Sequence, residues 1–263
     1  MIEDSNNHRA FDSKKAVALY TSTGQLQKPE ETILRLLQTE LPSPRILDIG
    51  VGGGRTTRYL AAWAREYVGI DYSEGMIDAC REKFKNSINV RFLLCDARCM
   101  QPFTDEYFDL VVFSFNGLDY VGHEDRIRIL GEVKRVLRRG GEFMFSSHNL
   151  RSAPSLFGHF PMSPPRMPLH EWLFAPIRNA KRRILNPGWI GKLQKDFAIL
   201  NDGAFDWRLT TYYVRPYVML NQLLAVGFRN VRVFSLDGTE IRSTENVRLN
   251  RDRWLYYLCQ AMI

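Results

Sequence analysis

The feature that most constrains the fold is a glycine-rich loop between a buried strand and an amphipathic helix. In ILDIGVGGGRTTRYL, residues 46–60, a short apolar run leads directly into Gly50, Gly52, Gly53 and Gly54, and a helical pattern follows. Glycine permits the tight turn that such a loop needs, and it lets a ligand lie against bare amides at a helix N-terminus. The pattern predicts a nucleoside-binding loop in an α/β sheet; a tight turn that binds nothing is the alternative.

Short apolar runs alternate with helix-length amphipathic stretches along most of the chain. This alternation is typical of a mostly parallel sheet covered by helices. The predicted strands are RILDI (45–49), YVGID (67–71), VRFLLC (90–95), FDLVVFSF (108–115), GEFMFSS (141–147), NVRVFSL (230–236) and a closing strand in 253–263. The predicted helices are 29–40, 55–65, 74–85, 124–138 and 215–228, and the run RRGG at 138–141 predicts a cationic last turn and a glycine stop for the fourth of them.

The formal net charge of +7 is concentrated in one segment. Residues 1–150 carry 20 basic and 21 acidic side chains, whereas residues 151–215 carry 10 and 4 and hold seven of the twelve prolines. This change of composition predicts an insertion in a more regular domain. We expect an N-terminal helical lid at 1–44, a core at 45–150, an inserted basic cap at 151–211 and the remainder of the core at 212–263.

Several classes of protein are disfavoured by composition. No apolar run reaches the roughly 18 to 20 residues that span a bilayer, and the first residues contain no apolar segment of a secretory signal, which predicts a cytoplasmic protein. The four cysteines form no CxxC pair and no zinc-like cluster, so we expect no metal site and no disulfide framework.

Two acids refine the interpretation of the loop. The glycines follow Asp48 in the spacing D-x-G-x-G-x-G, which differs from the G-x-G-x-x-G of dinucleotide sites. The negative charge of Asp48 would repel a pyrophosphate but suit a cationic amino-acid group. Asp71 ends the second strand, where it is positioned for the hydroxyls of a ribose bound over the loop. An N-cap of the next helix is the alternative role for Asp71, and Ser73 competes for it.

On these motifs the chain resembles class I S-adenosylmethionine-dependent methyltransferases, over residues 45–149 and more loosely over 212–263. The resemblance implies a Rossmann-like α/β fold: a seven-stranded, mostly parallel sheet with helices on both faces, an antiparallel last strand, and here an inserted cap after strand five. It also implies S-adenosylmethionine as cofactor. In that family the glycine loop lies against the methionine moiety and the acid of strand two binds the ribose, here Gly50, Gly52, Gly54 and Asp71, with Asp48 at the amino-acid end.

Further cofactor contacts are implied by the same resemblance. Tyr72 and Met76 match the positions that flank the adenine, although packing of the helix is an alternative role for them. Asp96 matches the acid that receives the adenine amino group, and the amide of Ala97 would serve the neighbouring ring nitrogen. The segment FDLVVFSFNGLDYV resembles the fourth strand and its loop, which places Ser114, Phe115 and Asn116 beside the cofactor.

Methyl transfer requires alignment of nucleophile and methyl carbon, and an oxygen or ammonium nucleophile must also lose a proton. Candidate bases lie where strands end: His148 after strand five and Asp119 after strand four. The alternatives are a structural histidine and an acid that caps a turn. The candidates for acceptor contacts are Tyr20, in the N-terminal lid, together with Tyr120, Asn149 and Tyr213.

The insertion interleaves aromatic and apolar side chains with basic ones. The first group is Trp172, Leu173, Phe174, Ile177, Trp189, Ile190 and Phe197, and the second is Arg178, Lys181, Arg182, Arg183, Lys192 and Lys195. Three interpretations compete: a solvated basic face on a small helical cap, a pocket for an anionic substrate such as a phosphorylated or carboxylated sugar, and a peripheral membrane patch for a lipid-linked acceptor. Nucleic acid ranks lower, because the charge is confined to one segment and no RNA-binding module is present.

The sequence therefore predicts a methyltransferase that modifies an O or N atom of a small-molecule or glycan-like acceptor. The alternatives are a tRNA, rRNA or protein methyltransferase, an aminopropyltransferase, and a regulatory subunit that binds the cofactor without transferring methyl. The oligomeric state stays open.

Overall fold

The computed structural model describes residues 7, 9–22, 24–158 and 174–262. Within these residues, nine strands form one sheet. They are β1 (Arg45–Ile49), β2 (Glu66–Asp71), β3 (Val90–Leu94), β4 (Phe108–Phe113), β5 (Leu137–Asn149), β6 (Phe197–Leu200), β7 (Thr211–Val214), β8 (Phe228–Phe234) and β9 (Trp254–Ala261). The predicted residues Trp172 and Leu173 lie outside the described part of the chain.

The helices connect the strands or extend the N-terminus. They are α1 (Lys14–Ser22), α2 (Lys28–Glu40), α3 (Thr57–Ala61), α4 (Glu74–Lys83), α5 (His123–Val136), α6 (Ala175–Leu185), α7 (Trp189–Gln194), the single turn α8 (Ala204–Trp207), α9 (Pro216–Val226) and α10 (Thr244–Leu249). Two 3-10 turns, Gly117–Tyr120 and Ala153–Leu156, follow β4 and β5.

The core of the sheet has the order β3-β2-β1-β4-β5, and these five strands are parallel. β9 joins β5 antiparallel along Glu142–His148, and β8 pairs with β9. The predicted α/β fold, with seven mostly parallel core strands and an antiparallel last strand, is confirmed. The carboxyl ends of the parallel strands meet at one edge, where ligands of open α/β sheets bind.

The side chains of β1 point alternately to the two faces of the sheet, and helices bury both faces. Ile46 packs in a cluster with side chains of α2 and α4, whereas Leu47 packs in a second cluster with side chains of α5 and α9. Since successive residues of a strand point to opposite faces, an apolar run such as RILDI needs helices on both sides. This arrangement holds the end of β1 rigidly at the carboxyl edge.

The insertion adds strands that the sequence analysis did not predict. His148 of β5 pairs with Trp254 of β9 on one edge and with Tyr213 of β7 on the other. β4 pairs along that second edge only as far as Phe145, so β7 continues the sheet beyond the end of β4. The hairpin β6–β7 therefore extends the sheet at the carboxyl edge.

Residues 138–141 correct the predicted end of the fourth helix. α5 ends at Val136, and these residues belong to β5 instead of a helical stop. They form a bulge, because the pairing register with β4 shifts between Phe108 and Leu110, and Gly140 there has φ of +70°. Arg138 donates a hydrogen bond of 2.6 Å to Asp109, which anchors the bulge. The two glycines of this run therefore belong to a β-bulge in β5 and do not end a helix.

Candidate functional site

The glycine loop turns through left-handed backbone immediately after β1. Gly50, Gly52 and Gly54 have φ of 63°, 53° and 73°, a region that other residues adopt only with strain. A Cβ on Gly50 would lie 2.9 Å from the ring of Phe113. A Cβ on Gly54 would lie 2.5 Å from the ring of Phe84, so Gly54 permits packing of α4 against the loop.

A cavity of about 340 Å³ opens where β1, β2 and β4 end. Most of the residues predicted to contact a cofactor line it: Asp48, Gly50, Gly52, Asp71, Tyr72, Met76, Asp96, Ala97 and Ser114. Phe115, Tyr20 and Tyr120 line it as well, whereas Gly54, Asn116, His148, Asp119, Asn149 and Tyr213 do not. Its size and its mixture of apolar surface with a few polar groups are typical of small-molecule sites.

Asp48 presents a buried carboxylate to this cavity. Its Oδ2 accepts hydrogen bonds from the hydroxyls of Thr56 at 2.5 Å and Tyr67 at 2.7 Å. Oδ1 accepts none from the described residues. Burial raises the pKa of Asp48 from 3.8 to about 6, which these hydrogen bonds only partly offset. A cationic ligand beside Oδ1 would stabilise the ionised form.

Asp71 joins the glycine loop to the helix that follows β2. Its two oxygens accept backbone N–H groups of Gly52 and Ser73, each at 3.0 Å. Ser73 occupies the N-cap position of α4, where its hydroxyl accepts the N–H of Met76 at 3.4 Å. The cap therefore belongs to Ser73, and Asp71 faces the cavity beside the loop.

Asp96 is held by a guanidinium that the sequence analysis missed. Arg98 donates to both oxygens of Asp96, with the closest contact at 2.6 Å, and also to Asp125 at 3.1 Å. Arg98 and Ala97 line the cavity with Asp96. A bidentate pair of this kind fixes the orientation of the carboxylate.

A second missed network anchors the far side of the loop. Glu30 of α2 is completely buried and receives two hydrogen bonds of 2.6 Å from Arg55, which follows the glycines. The hydroxyls of Ser114 and Tyr256 also donate to Glu30. Four separate elements thus meet at one carboxylate, and the loop is fixed between α2 and the sheet. A buried acid in a helix with an arginine 25 positions later leaves no local sequence signal.

The predicted bases, Asp119 and His148, contact each other. Asp119 accepts from Arg126 at 2.6 Å, from Ser147 at 2.7 Å, and from the backbone N–H and Nδ1 of His148 at 2.6 and 2.8 Å. Asp119 and Arg126 are both fully buried, and the His148 side chain is 13% exposed. Asp119 therefore orients His148 and neutralises Arg126, and neither member of the predicted pair reaches the cavity lining.

Five aromatic side chains cluster at the cavity, and we call them the aromatic roof: Phe11, Tyr20, Tyr72, Tyr120 and Phe205. Their ring centroids lie 4.9 Å apart for Phe11–Tyr120, 5.4 Å for Phe11–Phe205 and 6.0 Å for Tyr20–Phe205. All except Phe205 line the cavity. Burial raises the pKa of Tyr20 to about 12, so it stays neutral. The roof joins the N-terminal segment to the insertion; Phe11 and Phe205 were not predicted.

The loop after β4 has unusual backbone geometry. Phe115 and Asn116 both have positive φ, 55° and 61°. The N–H of Asn116 donates to Ser146 at 2.8 Å, and its Oδ1 is buried without a hydrogen-bond partner among the described residues. Consecutive left-handed non-glycine residues are strained, and such strain clusters at functional sites. Phe115 reaches the cavity, whereas Asn116 holds the turn.

Asn149 and Tyr213 serve other contacts. Asn149 accepts the N–H of Arg151 at 2.9 Å and donates to the carbonyl of Asn250 at 3.0 Å, which ties two loops together. The Tyr213 hydroxyl donates to Asp202 at 2.9 Å, and its ring lies 5.0 Å from that of His148. Tyr213 therefore borders His148, and Asn149 braces the end of β5.

Across the described residues, no group of three or more His, Cys, Asp or Glu side chains is arranged to hold a metal ion. In the same part of the chain, no helix is long and apolar enough to cross a membrane.

The central segment matches a known family model and several curated proteins. Residues 46–141 match a family model described as a methyltransferase domain. A demethylmenaquinone methyltransferase of Clavibacter sepedonicus is 36% identical over 148 residues, which cover 55% of this chain and 58% of that protein. The chain spans about half the length of the curated relatives it matches.

Solved structures match almost the whole chain. The CcbJ methyltransferase of Streptomyces caelestis has a TM-score of 0.61 at 18% identity, covering 98% of this chain and 99% of that one. The Burkholderia thailandensis 1,6-didemethyltoxoflavin-N1-methyltransferase, solved with 1,6-didemethyltoxoflavin and S-adenosylhomocysteine, has a TM-score of 0.59 at 12% identity, covering 99% and 87%. The resemblance to class I methyltransferases is confirmed, in sequence over 46–141 and in fold over nearly all of the chain.

Proposed function

We propose that this chain, whose residues 46–141 match a methyltransferase-domain model, is an S-adenosylmethionine-dependent methyltransferase acting on a small molecule. The observation that carries the proposal is the convergence of the glycine loop with Asp48, Asp71 and Asp96 around one cavity. Three acids from three neighbouring strand ends suit a ligand that carries a cationic group, ribose hydroxyls and an exocyclic amine.

The residues present fit this cofactor. Asp48 has an oxygen without a described partner and a raised pKa, which an ammonium group would correct. Asp71 would hold the ribose hydroxyls, Tyr72 and Met76 would flank the adenine, and Asp96 would accept its amino group. When bound, S-adenosylmethionine supplies an activated methyl group on a sulfonium with a neutral leaving group.

The task left to the protein is alignment and exclusion of water. The glycine loop is fixed by the Glu30–Arg55 pair and by Asp71, so the cavity floor is rigid. The aromatic roof borders the cavity with Phe11 and Tyr20 of the N-terminal segment, and Phe205 of the insertion packs against both rings. A fixed floor and a packed roof favour a near-attack arrangement, which contributes several kcal/mol to such reactions.

His148 is the base in this proposal, and Asp119 is its positioning residue. Because Asp119 is paired with Arg126 and acts as acceptor, Nδ1 of His148 donates to it, which leaves Nε2 to take a proton. His148 lies outside the cavity lining, beside Tyr213, so in this proposal it takes the proton of the acceptor's nucleophilic atom through one intervening water. This role requires an O or N nucleophile, as the sequence predicts.

The acceptor we propose is a small molecule with a planar or sugar ring that packs on the aromatic roof. A roofed cavity favours such a molecule over tRNA, rRNA or protein, since a macromolecular target requires an open approach. The names of the relatives point the same way, because they mention a demethylated quinone and a demethylated toxoflavin. An intact set of loop glycines and acids argues against a regulatory subunit without transfer activity.

The test combines a binding variant with an acceptor screen. Asp71→Ala should weaken S-adenosylmethionine binding by about 1.5 to 3 kcal/mol, the loss expected for charged hydrogen bonds, or roughly 10- to 150-fold. The matched control is Asp78→Ala on α4, whose side chain is 64% exposed and lies outside the cavity lining. Transfer of labelled methyl to an oxygen or nitrogen atom of a phenol, amine or sugar supports the proposal; labelled tRNA with no labelled small molecule would overturn the acceptor class.

A further inference from the structure

A second cleft lies beyond the carboxyl end of β5, and we call it the arginine cleft. It has a volume of about 370 Å³ and shares no lining residue with the cofactor cavity. Its lining consists of Leu150, Arg151, Ser152, Pro154, Ser155, Leu193, Arg215 and Arg251. Three of these eight residues are arginines, and none is acidic.

None of the three arginines forms an ion pair with a carboxylate of the described residues. Arg215 donates to the backbone carbonyls of Lys195 and Leu193, at 2.8 and 2.9 Å, which orients its guanidinium without neutralising it. In the described part of the chain, the side chains of Arg151 and Arg251 form neither an ion pair nor a hydrogen bond. The Nε of Arg151 is buried and has no acceptor there.

Two acids adjoin this region in the sequence, and their carboxylates accept hydrogen bonds from groups outside the cleft lining. Asp252 accepts the N–H of Leu236 at 3.2 Å and the side-chain amide of Asn250 at 3.4 Å. Asp196 accepts the hydroxyl of Tyr217 at 2.5 Å. Three guanidiniums that share a cleft without a carboxylate repel one another and create a positive potential. An anion in the cleft would relieve this repulsion and satisfy the free N–H groups.

We infer that the arginine cleft binds the phosphate group of a small molecule. Arginine presents a planar fork of donors that matches phosphate oxygens, and a doubly charged phosphate balances several guanidiniums better than a single carboxylate. The cleft volume exceeds that of the anion alone, so there is room for the group to which the phosphate is attached. The inference does not rest on methyl transfer, since it concerns a site separate from the cofactor cavity.

The experiment is calorimetric titration with pyrophosphate at constant ionic strength, in the absence of cofactor. Arg251→Gln should weaken binding about tenfold or more, the loss of a charge-assisted contact. Arg251 is exposed, so the variant should fold, and Arg151→Gln provides a second test from another loop. The matched control is Arg242→Gln, whose side chain is 87% exposed and lies outside the cleft lining; it should change the affinity less than twofold.

Further measurements distinguish phosphate binding in the arginine cleft from cofactor binding and from binding of a lipid headgroup. S-adenosylmethionine affinity should be the same in Arg251→Gln and in the wild type, so failure of either proposal is visible independently of the other. Equal pyrophosphate affinity in Arg251→Gln, Arg151→Gln and Arg242→Gln would overturn the inference. A third outcome would be no binding heat with pyrophosphate, while the wild-type protein co-sediments with phosphatidylglycerol vesicles and Arg251→Gln does not. That result would assign the cleft to a lipid headgroup and overturn the small-molecule ligand.

Discussion

Replacing Asp48 with asparagine should stabilise the ligand-free protein while it weakens cofactor binding. Asparagine keeps an oxygen that can accept from Thr56 and Tyr67, and it places a neutral amide at the position of Oδ1. The buried negative charge is removed, and so is the cost of burying it. A residue that lowers stability at a binding site would be retained for its ligand.

The size of the expected stabilisation follows from the shifted pKa of Asp48. Folding raises the pKa of Asp48 from 3.8 to about 6, so the folded state binds the proton more tightly than the unfolded state. Asp48 therefore lowers the free energy of unfolding as pH rises from about 4 to 7, by about 2 to 3 kcal/mol in total. Asp48→Asn should gain about that amount at pH 7. At pH 4.5, where wild-type Asp48 is protonated in the folded state, the gain should shrink by about 2 kcal/mol.

The assay is urea unfolding of both proteins at pH 7 and pH 4.5 without ligand. The control is Asp78→Asn, an exposed carboxylate whose replacement should change the free energy of unfolding by less than about 0.5 kcal/mol at either pH. An Asp48→Asn protein that is less stable than the wild type at pH 7, or a stability difference independent of pH, would contradict a net cost of burying the Asp48 carboxylate. Either result would mean that the hydrogen bonds from Thr56 and Tyr67 outweigh the cost of burial.

Three further predictions concern the neighbouring elements. Asp119→Asn should lower the free energy of unfolding by about 3 to 5 kcal/mol, because Arg126 would stay buried without its carboxylate; urea unfolding checks this, and a loss below 1 kcal/mol would contradict it. His148→Asn should reduce kcat about 100-fold with little change in cofactor affinity, and full turnover from pH 6 to 9 would remove it from the mechanism. Gly53→Ala should displace α1, since its Cβ would lie 2.5 Å from that helix's backbone, and should speed proteolysis of the N-terminal segment. Its control, Gly131→Ala on α5, has open space around the Cβ and should stabilise the protein by about 0.5 to 1 kcal/mol; equal proteolysis of both variants would contradict the packing described.

The elements of the sheet were predictable because their signals are local. A strand such as β1 is apolar and bounded by glycine, and α5 repeats its apolar residues every three or four positions. The prediction of a helix end at residues 138–141 was wrong, because the same residue types also suit another structure. The RRGG run at 138–141 is suited to a helix end, but pairing with β4 uses it for a bulge within β5.

The cavity residues on the strand ends were predictable, whereas their partners were not. Asp48 and Asp71 follow from their position beside the glycine loop. Glu30 becomes part of the site only through tertiary packing, since its partners are distant in sequence. The same holds for Phe205, which reaches Phe11 only because β6 and β7 join the sheet. Arg98 pairs with Asp96 two residues away, but a short polar spacing of this kind has no distinctive sequence signal. Sequence periodicity carries no information about such contacts.

The proposed function requires the cavity beside the glycine loop to bind S-adenosylmethionine. Calorimetric titration of the purified protein with S-adenosylmethionine, and separately with NAD, measures this binding. We expect one binding site with a dissociation constant in the micromolar range for S-adenosylmethionine and no heat with NAD. Binding of NAD, or silence toward S-adenosylmethionine in a sample shown to be folded, would contradict it.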